Sequence, residues 1–500
     1  MEKKSRNVAW LVALEAFLCL TLWPIWSERF PPMQDYPQHL LQAQMLCVHN
    51  QPAFDYNQNF VFHLRPYYAA FTLATLLFSS LAPIEVAGKL ALSLYPVLIA
   101  VVVFRLGRRR GERGAPWGAL LFFPMAFNQQ YFLGNVNYLL SLPLLILALM
   151  DFEDLLAGPL RAWPALRHFL WQVVLFIAHP FSFLAYVCLA LVVAFAARDK
   201  KEGLRGKLLL MMAGAFLLFA AAWIENAAAS VARVPSSWGI GWLPLKTALE
   251  FFALMFNGMQ WSRGAQPVPL VLWGGVFAIL LGALIARRKE RGALPRRRAL
   301  LLFSVIMAFG LLPFRAGTFT FINLRVAAIA YFLLALMAAD LEFRGWRIAA
   351  LVALLALTLA DSIVRQERIS AEVSEILPVV ERIPPNSRIL PLVFEPSSAE
   401  LEPGLFDAHL HDHDYYHILV GGGFNPYFFE APVLPVHYRK GAERPAPGEY
   451  NPAKFSWEKH SSDYRYFLAR GAPESFRSYI TRRCDEVAAS GKWTLYERRR

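Results

Sequence analysis

Residues Val8 to His39 read VAWLVALEAFLCLTLWPIWSERFPPMQDYPQH. The apolar run ends at Trp26, and soon after it the chain offers a carboxylate, Asp35, and an imidazole, His39. A run of ~20 mostly apolar residues is long enough to cross a bilayer. Pro24-Ile25-Trp26-Ser27-Glu28 contains no small-residue cleavage site, so the run reads as a retained anchor and not as a removed signal peptide. Ionisable groups held at a membrane surface beside many spans are functional-site candidates by default.

Composition agrees with a membrane chain. It has 500 residues, 56% hydrophobic and only 17% charged, with a mean hydropathy of +0.37. That is too apolar for a soluble enzyme of this length. The net charge of +13 does not point to nucleic acid. The basic residues cluster in short gaps between apolar runs, which is the positive-inside pattern of a polytopic protein. Cys47 and Cys484 fall in predicted outer segments, where a bridge is conceivable, while Cys19 and Cys188 lie in apolar runs.

The apolar runs are 8–26, 67–82, 84–104, 115–133, 136–150, 166–197, 204–224, 267–286, 299–315, 318–339 and 345–361. The gaps RLGRRRGER (105–113), RDKKEGLRGK (198–207) and RRKERGALPRRR (287–298), with the N-terminus and 341–347, are assigned to the cytoplasm. The run 166–197 is too long for one span and breaks at His179-Pro180, because Pro lacks a backbone donor. Between 204–224 and 267–286, residues 243–257 read as a surface or half-spanning helix. Two runs separate Asp35 from Arg113, which returns the chain to the wrong side. Either one of them only half-crosses, or the arginine cluster breaks the charge rule. The expected fold is an all-α polytopic membrane bundle of about eleven to thirteen spans with a small extracytoplasmic α/β C-terminal domain. The expected divisions are residues 1–361, with a first outer loop at 27–66, and 362–500. In the latter, 389–394 reads as a strand, Arg477–Ser490 as a helix and 493–496 as a final strand.

Polar residues then fall mainly at outer ends: Asp35 and His39, Asn135 and Asn137, His179, Glu225 and Asn226, Arg315, Asn323 and Arg325. A carboxylate among imidazoles, amides and guanidiniums suits proton abstraction and phosphate binding. Each group also has a structural reading. Asp35 fits an N-cap or Asx-turn. His39, four residues on, shares a helical face with it, so a structural ion pair competes with a catalytic pair. His179 reads as packing, Arg315 and Arg325 as snorkelling anchors and Glu225-Asn226 as a helix cap. The segment His409–His417, HLHDHDYYH, carries alternate histidines, but no spaced Cys or HExxH pattern accompanies it, so it reads as a polar surface loop. GGG at 421–423 reads as a flexible loop, since no Lys-Ser/Thr follows.

QDYPQH after the first span, GNVNYLLSLPL and INLR, followed by an outer C-terminal domain, resemble the integral-membrane glycosyltransferases of the C superfamily, in particular poorly characterised bacterial members. The layout covers nearly the whole chain. The resemblance implies a bacterial inner-membrane enzyme with its N-terminus in the cytoplasm. It implies transfer of a sugar from a polyprenyl-phosphate donor to a glycan, lipid or protein acceptor outside the cytoplasm, with inversion. Asp35 takes the place of the catalytic base, with His39 orienting it or holding the sugar, and Arg325, with Arg315 or His179, binds the lipid phosphate. Many relatives carry two adjacent acids where this chain has Asp35-Tyr36, so no metal or other cofactor is called for. The competing readings are a lipid-linked glycan flippase or transporter and an envelope polysaccharide polymerase. A transporter tends to show repeated halves and polar groups at the bilayer midplane, whereas here they lie at outer ends.

Overall fold

The computed structural model describes residues 2–63, 65, 67–110, 115–196, 204–228, 239–254, 267–291, 296–316, 320–401, 406–429 and 434–499. The chain is mostly helical, 65%, with a few small sheets. Among the described residues, five helical segments are long and apolar enough to cross a membrane: Val8–Trp26, Ile84–Arg110, Leu204–Ala221, Pro267–Arg288 and Trp346–Val380. Their outward faces carry large apolar side chains, among them Leu209, Phe216 and Val271, each about 70% exposed. Such surface is costly to leave against water and suits a lipid environment.

Two expected spans come out differently. The run 67–82 forms only Ala70–Ser79, ten residues. At 1.5 Å per residue that is about 15 Å, half of a ~30 Å hydrocarbon core. The run 115–133 is no continuous helix either. It breaks into the tight turns Trp117–Phe122 and Pro124–Ala126 and the short helix Gln129–Phe132. Pro124 opens the second turn, where its missing N–H costs nothing, but it cannot continue a helix begun at Trp117. The break at His179-Pro180 does separate two helices, Ala162–Ala178 and Pro180–Ala196. His179 is extended there (φ −162°, ψ 115°), as the residue before a proline prefers. The expected helix within 243–257 is Leu245–Leu254.

The chain divides into two compact units. One comprises residues 1–23, 93–131 and 137–363. It is helical, with Arg296–Leu311 packed on Ile322–Ala338 and on Pro180–Ala196, and Leu204–Ala228 packed on Ala162–Ala178. Ile322–Ala338 is apolar nearly all round and buried nearly all round, as such a helix must be inside protein.

The other unit comprises residues 24–92, 132–136 and 364–500. Its sheet has the strand order Ile389–Val393, Tyr466–Arg470, Trp493–Arg498, Cys484–Ser490. The first pair is parallel and the others antiparallel, with a register shift between Glu486 and Ala488. The helix expected at Arg477–Ser490 is thus replaced by a short helix, Glu474–Ile480, and an edge strand whose side chains are mostly exposed. Pairing with Trp493–Arg498 overrides the local helical preference. The helix Tyr36–Val48 packs against Ala70–Ser79 and Tyr415–Leu419. The four cysteines are all free, so Cys47 and Cys484 do not pair, and Cys47 Sγ instead lies 3.3 Å from Ser79 Oγ.

Candidate functional site

Asp35 sits where the helix Tyr36–Val48 begins, and Pro37 follows in the first turn, where proline is tolerated. Its backbone is held from two directions. The Asp35 N–H donates to the Leu133 carbonyl at 3.1 Å, and its carbonyl accepts from the His39 N–H at 3.1 Å. Residues 132–136 lie so close that a Cβ on Gly134, which has φ +79°, would come 2.6 Å from the Asp35 nitrogen. Only glycine accepts both that conformation and that approach.

Asp35 occupies the N-cap position, yet its side chain makes no capping bond. The carboxylate turns to His411 instead, with Oδ1 3.0 Å from Nδ1. His411 Nε2 lies 3.4 Å from Glu449 Oε1, so one buried imidazole stands between two half-buried carboxylates. Burial alone would lower the His411 pKa, but Glu449 and Asp35 outweigh it and hold it well above the ordinary value. A third carboxylate, Asp407, is near enough to sense His411 and Glu449. Burial, helped by Glu449, raises its pKa against the opposing pull of His411. Its backbone N–H donates to Gln34 Oε1 at 2.9 Å, beside Asp35 in the chain. Among the described residues no Lys or Arg pairs with any of the three carboxylates. That leaves an acidic group of side chains organised round one imidazole, chemically able to accept a proton or to hydrogen-bond a polar group.

His39 does not form the expected ion pair with Asp35. Its ring is buried among Tyr68, Phe71 and Phe429, at centroid distances of 6.2, 6.4 and 6.3 Å. Burial pulls its pKa down to about 4, so it is neutral near pH 7. Helix register does bring Gln38 to the same region. Its Nε2 donates to the Tyr427 carbonyl at 3.1 Å, and its Oε1 accepts from the Phe429 N–H at 2.8 Å.

The segment His409–His417 is buried, not the surface loop expected, and most of its polar side chains find a partner inside, although His413 Nε2 and Asp414 Oδ2 make no hydrogen bond among the described residues. His409 stands between Asp412 (2.7 Å) and Glu372 (2.8 Å), which hold its pKa up against burial. His417 Nδ1 is 2.8 Å from the Gly422 carbonyl and its Nε2 is 3.0 Å from Asn425 Nδ2. Those neighbours require a proton on Nδ1 and none on Nε2, consistent with a pKa lowered to about 4 by burial. Asn425 Nδ2 also donates to Asp414 Oδ1 at 2.9 Å, and burial raises that carboxyl well above the usual range. The three glycines 421–423, expected to be flexible, are likewise buried, and the Gly423 N–H donates to Asp55 Oδ1 at 2.6 Å. Among the described residues no group of three His, Cys, Asp or Glu side chains is placed to hold a metal ion.

Most other residues singled out from the sequence lie in the helical unit. There Tyr138 and His179 meet edge to face at 5.1 Å, and the Tyr138 hydroxyl donates to the Arg325 carbonyl. Arg325 Nε and Asn323 Oδ1 are buried without a hydrogen-bond partner. Asn137 is fully buried at the start of the helix Val136–Ala157, and Arg315 is exposed on a two-residue strand paired with Ile240–Gly241. Glu225 and Asn226 end the helix Leu204–Ala228, and their side chains lie outside the described residues. Asn135 belongs to the unit that holds Asp35 and is nearly buried.

His411, Glu449 and Asp407 were missed as members of the Asp35 site. The one available signal was the alternation of His and Asp at 409–414, too dense in charge for a segment that the chain nevertheless buries. No family model, curated protein or solved structure matches the chain.

Proposed function

We propose that the protein is a polytopic membrane glycosyltransferase that moves a sugar from a polyprenyl-phosphate donor to an acceptor hydroxyl outside the cytoplasm. One observation carries the reading: Asp35 stands at a helix start without capping it, and its carboxylate is built into a cluster with His411, Glu449 and Asp407. A carboxylate needed only for the helix would accept from the first-turn N–H groups.

In this reading the acceptor hydroxyl gives its proton to Asp35. Its oxygen attacks the anomeric carbon from the face opposite the phosphate. The carbon–oxygen bond to phosphate breaks, and the electron pair leaves with the polyprenyl phosphate, inverting the anomeric centre. Arg325, in the helical unit, has a buried Nε without a hydrogen-bond partner among the described residues, which suits a donor to an anion. His39, neutral and packed in aromatic rings, shapes the wall beside Asp35. Because Ala70–Ser79 is too short to cross, a single span, Ile84–Arg110, leads from the Asp35 loop to the arginine cluster at its end. With the arginines assigned to the cytoplasm by the charge rule, one crossing puts the loop outside, and the short Ala70–Ser79 supports the half-crossing alternative. The C-terminal residues then lie outside with the loop, in a bacterial inner membrane.

The test is sugar transfer in membranes containing the full chain. Asp35→Asn abolishes transfer at unchanged expression. Unchanged transfer by Asp35→Asn overturns the assignment of the base.

A further inference from the structure

We propose that His411 and Glu449 are positioning residues for Asp35: the imidazole, set between the two carboxylates, fixes one Asp35 oxygen and leaves the other to take a proton. The inference rests on the reading of Asp35 as the base. Three observations support it. First, His411 Nδ1 is 3.0 Å from Asp35 Oδ1 and its Nε2 is 3.4 Å from Glu449 Oε1, so each ring nitrogen lies within ion-pair distance of a carboxylate. Second, the ring cannot easily turn away. It is 5% exposed and lies 6.3 Å from the His413 ring and 6.5 Å from Phe429. Third, Asp35 Oδ1 is buried while the side chain as a whole keeps 17% of its exposure, so Oδ2 is the oxygen left for substrate.

Without His411 the site would hold three carboxylates and no nearby cation, an arrangement in which like charges drive protonation. The groups that face His411 are Asp35, His39, Asp407, His413, Asp414 and Glu449. His39 and His413 are pulled toward neutrality by burial, and burial raises the Asp414 carboxyl, so Asp35 and Glu449 decide the charge on His411. Glu449 lies far along the chain from Asp35 and touches it only through the ring. Its proposed work is to keep His411 charged and oriented.

The experiment needs no donor. Exchange of each imidazole C2 hydrogen for deuterium, followed against pH by mass spectrometry in the full-length protein in lipid nanodiscs, reports when that histidine titrates. His411 is expected to titrate well above the ordinary value of ~6.5. Glu449→Gln and Asp35→Asn should each lower its midpoint by about one unit, and the double variant should bring it below 6.5, because burial then acts alone. A wild-type midpoint at or below 6.5, or one that neither single variant moves, overturns the proposal. If one variant fails to fold, the other still decides. If Asp35→Asn lowers the His411 midpoint yet retains sugar transfer, the positioning geometry stands and the assignment of Asp35 as base falls. If Asp35→Asn abolishes transfer while the midpoint stays fixed, the base stands and His411 is not its positioning residue.

Discussion

Asp35 and Asp151 each face a buried histidine, and they are built in opposite ways. Asp151, in the helical unit, is 1% exposed and lies 2.6 Å from Arg167 Nε, 3.5 Å from His168 Nδ1 and 3.9 Å from Arg105. His168 is closed off on its other side by the Tyr186 hydroxyl at 2.9 Å. Around it Arg105 pairs with Asp154 (2.8 Å), and Arg109 and Arg298 pair with Glu153 (3.1 and 2.9 Å). Every acid there has a cation. Asp35 has one imidazole, two further carboxylates nearby and no guanidinium. Structural networks neutralise their charge, because an unpaired buried charge is expensive. A group that leaves negative charge over and keeps it half-buried is the kind that functional sites use, and it motivates the proposed role of Asp35.

The strongest way to break this contrast is to neutralise each acid in turn. Asp35→Asn is expected to lower sugar transfer by a factor of at least about a hundred, the usual scale for a general base, with expression unchanged. Asp151→Asn is expected to leave transfer per folded molecule within about threefold of wild type. If the two variants lost transfer equally with folding intact, the contrast would carry no functional meaning. Stability should show the reverse order. Removing one partner of a buried pair costs ~3–5 kcal/mol, but the Arg167 side chain is 41% exposed and stays hydrated, so Asp151→Asn should cost only about 1–2 kcal/mol. Denaturation of the purified protein in detergent measures it, and Asp35→Asn should cost less.

What could be read in advance follows the same division. Short-range chemistry was legible: His179-Pro180 broke a helix as a proline must, and Ile389–Val393 became a strand. Hydropathy failed at 115–133, because a segment buried in protein and one buried in lipid have the same composition. The His409–His417 segment misled for the opposite reason. Its charge reads as surface until its partners are known, and Glu372, Glu449 and Asp35 all lie far from it in the chain. Asp35 was conspicuous from its place after the first span. Its cluster was not, since nothing near Asp35 in sequence points to His411.

Titration sharpens the comparison further. His39 and His417 are depressed to about 4. A histidine held neutral in the fold contributes stability that is intact above the unfolded value of ~6.5 and is lost as pH falls toward about 4. His411 and His409 are raised, so their contribution is intact below ~6.5 and is lost as pH rises through their folded values. Unfolding free energy measured in detergent should therefore fall on both sides. His417→Gln is expected to make the acid slope shallower, and Glu449→Gln the alkaline one. An acid slope unchanged in His417→Gln would mean that this buried imidazole is already protonated in the native state, against its Gly422 and Asn425 contacts.

The smallest expected effect concerns His39, which touches the Asp35 site without sharing its charge. A neutral ring among Tyr68, Phe71 and Phe429 helps to shape the site by packing, so a residue that keeps a polar tip and similar bulk should serve partly in its place. His39→Gln is expected to reduce transfer by less than about tenfold and to leave the pH profile of the reaction where it was. His411→Gln removes a positive charge from among three carboxylates, and it should move the acidic limb of that profile to higher pH. Measuring both profiles side by side separates packing from charge. If His39→Gln moved the acidic limb and His411→Gln did not, the imidazole governing Asp35 would be the one four residues along its own helix, and the contacts to His411 would be packing alone.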